Sequence, residues 1–142
     1  MKHRKKGRKL NRRTSERKAL FRGLIQALFL HGQIKTTEAK AKAIKRLAAK
    51  LITKAKDGSL HHRRQVLAFL ADQKAANKLV DEIAPRFKKR TSGFTRFVRL
   101  GKRRGDDAMI VKLELVRDQV KGGQGTKKTK KKKVKNKKSK QK

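Results

Sequence analysis

The chain has 142 residues, 46 of them Lys or Arg against 10 Asp or Glu, a formal net charge of +36, with 35% hydrophobic residues and no cysteine. That length allows one domain with tails, the low apolar fraction limits it to a small core, and the missing cysteine excludes disulfides, thiolate metal sites and thiol catalysis. A charge of +36 exceeds anything internal carboxylates can neutralise, so the compensating anion is external, and a nucleic acid, which sheds condensed counterions on binding, is the partner that charge favours. Apolar runs fall far short of the roughly 20 residues needed to span a bilayer, and no apolar stretch precedes residue 19, so neither a membrane partner nor a secretory signal is expected.

Residues 1–13 carry Lys2, His3, Arg4, Lys5, Lys6, Arg8, Lys9, Arg12 and Arg13 with no acid and little but Leu10 to bury. Such a segment cannot offset its own ordering entropy, so it reads as a disordered arm that takes its shape along phosphates. A globular part is expected over residues 14–118. Thr14 or Ser15 caps a first helix in which Leu20, Phe21, Leu24, Ile25, Ala27 and Leu28 form the burying face and Arg22, Gln26 and Phe29 the other. Gly32 ends that helix after His31, residues 33–36 are β-branched enough for a short strand, and Thr36 or Thr37 followed by Glu38 starts a second helix that stops at Asp57-Gly58. There Ile44, Leu47, Ala48, Leu51 and Ile52 face the core, while Lys40, Lys42, Lys45, Arg46, Lys50 and Lys54 cover the back.

A shorter helix from Ser59 or Leu60 buries Val66, Leu67, Phe69 and Leu70; another, capped by Asp72, buries Leu79, Val80 and Ile83 and ends at Pro85, the single proline. Asp81 and Glu82 make this the least basic stretch, expected to face away from the partner. After a basic link, 86–90, two strands follow: residues 94–100, and 108–116 with Met109, Val111, Leu113 and Leu115 on one face. The loop between them sets Lys102, Arg103 and Arg104 between two glycines as a second phosphate contact. Phe21, Phe69 and Phe94 are expected in the core, and Phe29 and Phe97 are held open as candidate contacts to bases or protein. Residues 119–142 form a lysine-rich, disordered tail that reads charge and not sequence.

No catalytic constellation is present. The closest acids, Asp106-Asp107, sit beside Arg103 and Arg104 and tighten a turn; Ser15, Ser59 and Ser92 lack a patterned base. The His61-His62 pair cannot chelate alone, because helical neighbours point about 100° apart, so no metal and no cofactor are expected.

The opening MKHRKKGRKLNRRTSERKALFRGLIQALFLHGQIKTTEAKAKAIKRLAAKLI and the segment APRFKKRTSGFTRFVRLGKRRGDDAMIVKLELV resemble, in order and spacing, the family of bacterial large-subunit ribosomal protein number seventeen over residues 1–116. The resemblance implies a non-enzymatic α+β fold: a two-layer domain of order α-β-α-α-α-β-β with a small mixed three-stranded sheet. It implies a cytoplasmic structural component of the large ribosomal subunit that binds 23S ribosomal RNA near the peptide exit, beside neighbouring ribosomal proteins and not as a homo-oligomer. The arm would penetrate RNA, with Arg17, Arg22, Lys35, Lys89, Arg90, Arg96 and Arg99 adding contacts on the globular part. A histone-like, DNA-compacting protein is the alternative that composition leaves open.

Overall fold

The computed structural model describes residues 7–116; the first half of the arm and the lysine-rich tail fall outside them. The elements are α1 (Thr14–His31), β1 (Gln33–Thr37), α2 (Glu38–Lys56), α3 (Leu60–Leu70), α4 (Gln73–Asn77), a π-helical segment (Lys78–Ile83), α5 (Ala84–Arg86), β2 (Thr95–Lys102) and β3 (Met109–Leu115). This is the α+β order expected from the resemblance.

Local chemistry sets most boundaries. Gly32 ends α1 at φ 74°, a left-handed conformation that suits glycine, and its N–H donates to Leu28 O. Ser59 Oγ accepts from His62 N–H at the start of α3, and Asp72 Oδ1 from Lys74 N–H at the start of α4. The first cap differs from expectation: Arg13 takes the N-cap position, and Glu16 Oε2 accepts its N–H at 3.3 Å. Of the candidate starts in Arg-Thr-Ser-Glu, the frame that wins places the carboxylate at the third helical position, where it can reach back.

Pro85 does not stop the fourth helical run. Backbone angles stay right-handed through Lys78 and Ala84, so α4, the π segment and α5 continue as one rod. Ala84 N–H donates to Leu79 O, a five-residue step; this wider turn admits the proline, whose ring would clash with a carbonyl of an ordinary helix and which has no N–H to place.

The sheet order is β1-β3-β2, with both pairings antiparallel. The expected mixed sheet is thereby corrected: the outer strands run the same way, but β3 lies between them, so no parallel ladder forms. Ile34, Val111, Leu113 and Phe97 share the face that packs on the helices, with Ile34 and Phe97 each opposite Leu113. A bulge between Arg99 and Gly101 leaves Leu100 about half exposed, and Gly101 takes φ 139° there.

The core sits between the sheet and the helices. Ile25, Leu28 and Phe29 from α1 meet Ile44, Ala48 and Ile52 from α2, Val66 and Leu70 from α3, Leu79 and Ile83 from the rod, and Val111 and Leu113 from β3. Phe29, assigned to the face away from the core and held as a candidate contact, is fully buried. Four residues beyond Ile25 is only about 40° around a helix, so the two share a face. Phe87, assigned to a basic link, is buried edge-to-face with Phe94 at 5.3 Å between ring centres. Leu67, expected inside, is exposed, while Phe21, Phe69 and Phe97 are half-buried against the core.

Candidate nucleic-acid interface

Residues 7–116 hold twenty-nine Lys and Arg against nine Asp and Glu, and every one of those carboxylates is already engaged. Glu16 accepts from Arg13 N–H and Asp72 from Lys74 N–H. Glu38 lies 2.6 Å from Lys42 and 3.2 Å from Arg99; these side-chain bonds, Lys42 first, hold its pKa below the usual carboxylate value. Asp57 faces His62, Asp81 faces Arg63, Glu82 faces Arg86, and Glu114 sits between Arg96 and Lys112. In the hairpin, Asp107 pairs with Lys102 and Asp106 with Arg103. The Arg103 hydrogen bonds, helped by the Ala108 N–H, lower the Asp106 pKa from 3.8 to about 2. Most of the cations therefore have no acid to meet within these residues.

Several cations meet carbonyls instead. Arg22 Nε donates to Phe69 O at 2.9 Å, and beside it Gln26 Nε2 donates to Leu70 O, so α1 satisfies the carboxyl end of α3. Lys78 Nζ donates to Leu30 O at the end of α1, and Lys56 Nζ to Arg90 O while lying 5.8 Å from the Phe94 ring centre. A cation at the negative end of a helix is favourable; in a chain short of acids, helix ends take over part of that role.

These partners sort the site residues read from the sequence. Lys2, His3, Arg4, Lys5 and Lys6 lie outside the described residues. Arg8, Lys9, Arg12 and Arg13 are exposed, in a turn closed by Arg12 N–H to Lys9 O with positive φ at Leu10 and Asn11. Lys35 and Lys89 are exposed; Lys35 stands opposite Lys112 on the open sheet face, where like charges repel. Arg104 is exposed at the hairpin tip, and its neighbours Lys102 and Arg103 are held by their aspartates. Arg17 and Arg22 are tied to Arg12 O and Phe69 O, Arg90 to Gly93 O, Arg96 to Glu114 and Arg99 to Glu38.

Geometry gathers some of them. Arg8, Thr37, Glu38, Lys42, Ala108 and Met109 line one hollow of about 450 Å³, so the arm, the start of α2 and the base of the hairpin converge at one end of the sheet, with Arg99 reached through Glu38. Arg96 lies at the other end, in a cleft of about 590 Å³ shared with Lys78, Arg86 and Lys112 but also Glu82 and Glu114. The stretch expected to face away thus contributes Glu82 to a cleft that still holds more cations than acids. The exposed back of α2, legible as basic in the sequence, adds Lys42, Arg46, Lys50 and Lys54 to the surface cations.

Fold and surface together define a small, strongly basic α+β domain in which the acids among the described residues are all engaged internally. Comparison with known families makes this particular. The family described as Ribosomal protein L17 matches residues 20–116, and the chain belongs to that family. It is similar to the large ribosomal subunit protein bL17 of Desulforapulum autotrophicum, 46% identical over 84% of this chain and 100% of the relative. It is likewise similar to the proteins of the same name from Geobacter metallireducens, 46% identical over 84% of this chain and 67% of the relative, and Clostridium perfringens, 50% identical over 77% and 96%. The chain is accordingly a ribosomal protein.

Proposed function

We propose that this chain is a structural constituent of the large ribosomal subunit that lies against 23S ribosomal RNA, beside neighbouring ribosomal proteins and as a single copy. The observation that carries this reading is the engagement of all nine carboxylates among the described residues beside a large excess of exposed cations. RNA phosphates supply the missing counter-charge, and binding releases their condensed ions. Residues 1–13 act as the RNA-penetrating arm, residues 14–118 as the folded body and residues 119–142 as a charge-reading tail.

The partners found in the fold divide the work. Lys2 to Arg13, Lys35, Lys89 and Arg104 bind phosphate directly, since the side chains described among them pair with no acid. Arg96, Arg99, Lys102 and Arg103 present residual positive charge from within ion pairs, and Arg17, Arg22 and Arg90 chiefly hold carbonyls in place. Deletion of residues 1–13 is expected to abolish retention in large subunits sedimented at high salt, while deletion of 122–142 only weakens it. Equal retention of both would defeat the role given to the arm, and preference for duplex DNA over ribosomal RNA in direct competition would transfer the reading to DNA compaction.

A further inference from the structure

We infer that the outward face of α2 is a phosphate ladder that tracks the backbone of one RNA strand. Its four-residue row is Lys42, Arg46, Lys50 and Lys54, all exposed. Each step advances about 6 Å along the helix and turns about 40°, a spacing comparable with that of successive phosphates on a strand. Lys42 is tied to Glu38 and Lys54 Nζ to Gln65 Oε1 at 2.8 Å. Among the described residues Arg46 and Lys50, in the middle, have no side-chain partner, and Lys45 flanks them, also exposed.

The row makes little sense as a solvated helix surface. Like charges four residues apart destabilise a helix, and here three such pairs follow one another, with no acid on this face after Glu38. The opposite face gains nothing from them, because it buries Ile44, Ala48, Leu51 and Ile52 whatever covers the back. An arrangement that costs stability along most of the longest helix implies an external anion of matching pitch. The lower end of the row is also continuous with the arm: Arg8 and Lys42 line the same hollow. A strand leaving the arm meets Lys42 first and then Arg46 and Lys50.

RNA fits this face better than an acidic protein. Protein interfaces place aromatic or aliphatic anchors at their centres and are depleted in lysine, whereas the uncharged residues on this face are small, Ala39, Ala43, Ala49 and Thr53. Lys and Arg side chains without apolar anchors suit phosphates, which need charge and reach and no base contact.

The inference rests on the RNA-binding role proposed above, so its test separates the two. Full-length protein, the Arg46→Gln/Lys50→Gln variant, Arg46→Glu and a chain lacking residues 1–13 are compared for binding to a 23S ribosomal RNA transcript across a salt series, with polyglutamate of similar charge as a second probe and urea unfolding of each free protein alongside. The neutral double variant is expected to bind RNA more weakly at low salt, with a salt slope shallower by about 0.7 to 0.9 for each lost phosphate contact, and its urea midpoint should not fall. Arg46→Glu breaks two like-charge pairs and creates favourable ones, so it should raise the urea midpoint at low salt while lowering RNA affinity further. Unchanged affinity and slope in both variants, with a clear loss on removing the arm, would overturn the ladder alone. Polyglutamate bound as tightly as RNA and lost equally in the variants would assign the face to an acidic protein and also overturn it. A parent chain that does not bind the transcript would instead remove the role on which the ladder depends.

Discussion

Replacing Phe29 by alanine separates a core residue from a base contact. The side chain is fully buried on the α1 face that also carries Ile25 and Leu28. Truncating a buried phenylalanine costs about 3 to 5 kcal/mol through lost transfer energy and the cavity left behind. A domain of this size holds about 5 to 15 kcal/mol in total, and mutual repulsion among surface cations places this one toward the lower end. With a urea slope near 2 kcal/mol per M, typical for small domains, the midpoint of Phe29→Ala should fall by about 2 M with the slope unchanged. Urea unfolding at fixed moderate salt measures this directly, and Phe97→Ala, half-buried on an edge strand, should lose less. A variant that keeps its midpoint within about 0.5 M and loses RNA affinity instead would refute the packing and restore Phe29 as a contact.

Arg22→Gln should lower stability by about 0.5 to 1.5 kcal/mol, because the Phe69 carbonyl exchanges a positioned side-chain donor for water. Arg104→Gln should leave the urea midpoint alone and weaken RNA binding, so comparing the two arginines by unfolding and affinity tests the division between structural and contact cations. Asp106 should titrate near 2 by NMR and return toward 3.8 in Arg103→Gln. Its pKa is depressed in the folded state, so the contribution of this pair is full above about 3.8 and is lost as pH falls toward 2; an unmoved Asp106 midpoint in the variant would remove Arg103 as the cause.

What the sequence made legible was local. Ser59, Asp72 and Gly32 announce helix ends because their chemistry acts within a few residues. The two faces of α2 separate cleanly for a similar reason: one side packs and the other does not. The α1 helix hides its geometry because it is surrounded, so that Arg22 and Gln26, polar and assigned outward, turn onto the end of α3. Phe87 was masked by the four cations around it, and its burial depends on Phe94 seven residues on. Passage of the rod through Pro85 depends on the π turn, which leaves no mark in composition. For the candidate interface, the abundance of cations was readable, but which of them are held by acids or carbonyls follows only from contacts between distant segments, such as Arg99 with Glu38.

The salt dependence of binding between the full chain and a 23S ribosomal RNA transcript tests the electrostatic account most directly. A log–log plot should be linear and steep, each neutralised phosphate adding about 0.7 to 0.9 to the slope, so that six or more contacts cost about three orders of magnitude or more in affinity between 50 and 200 mM salt. Affinity that stays flat across that range would contradict it.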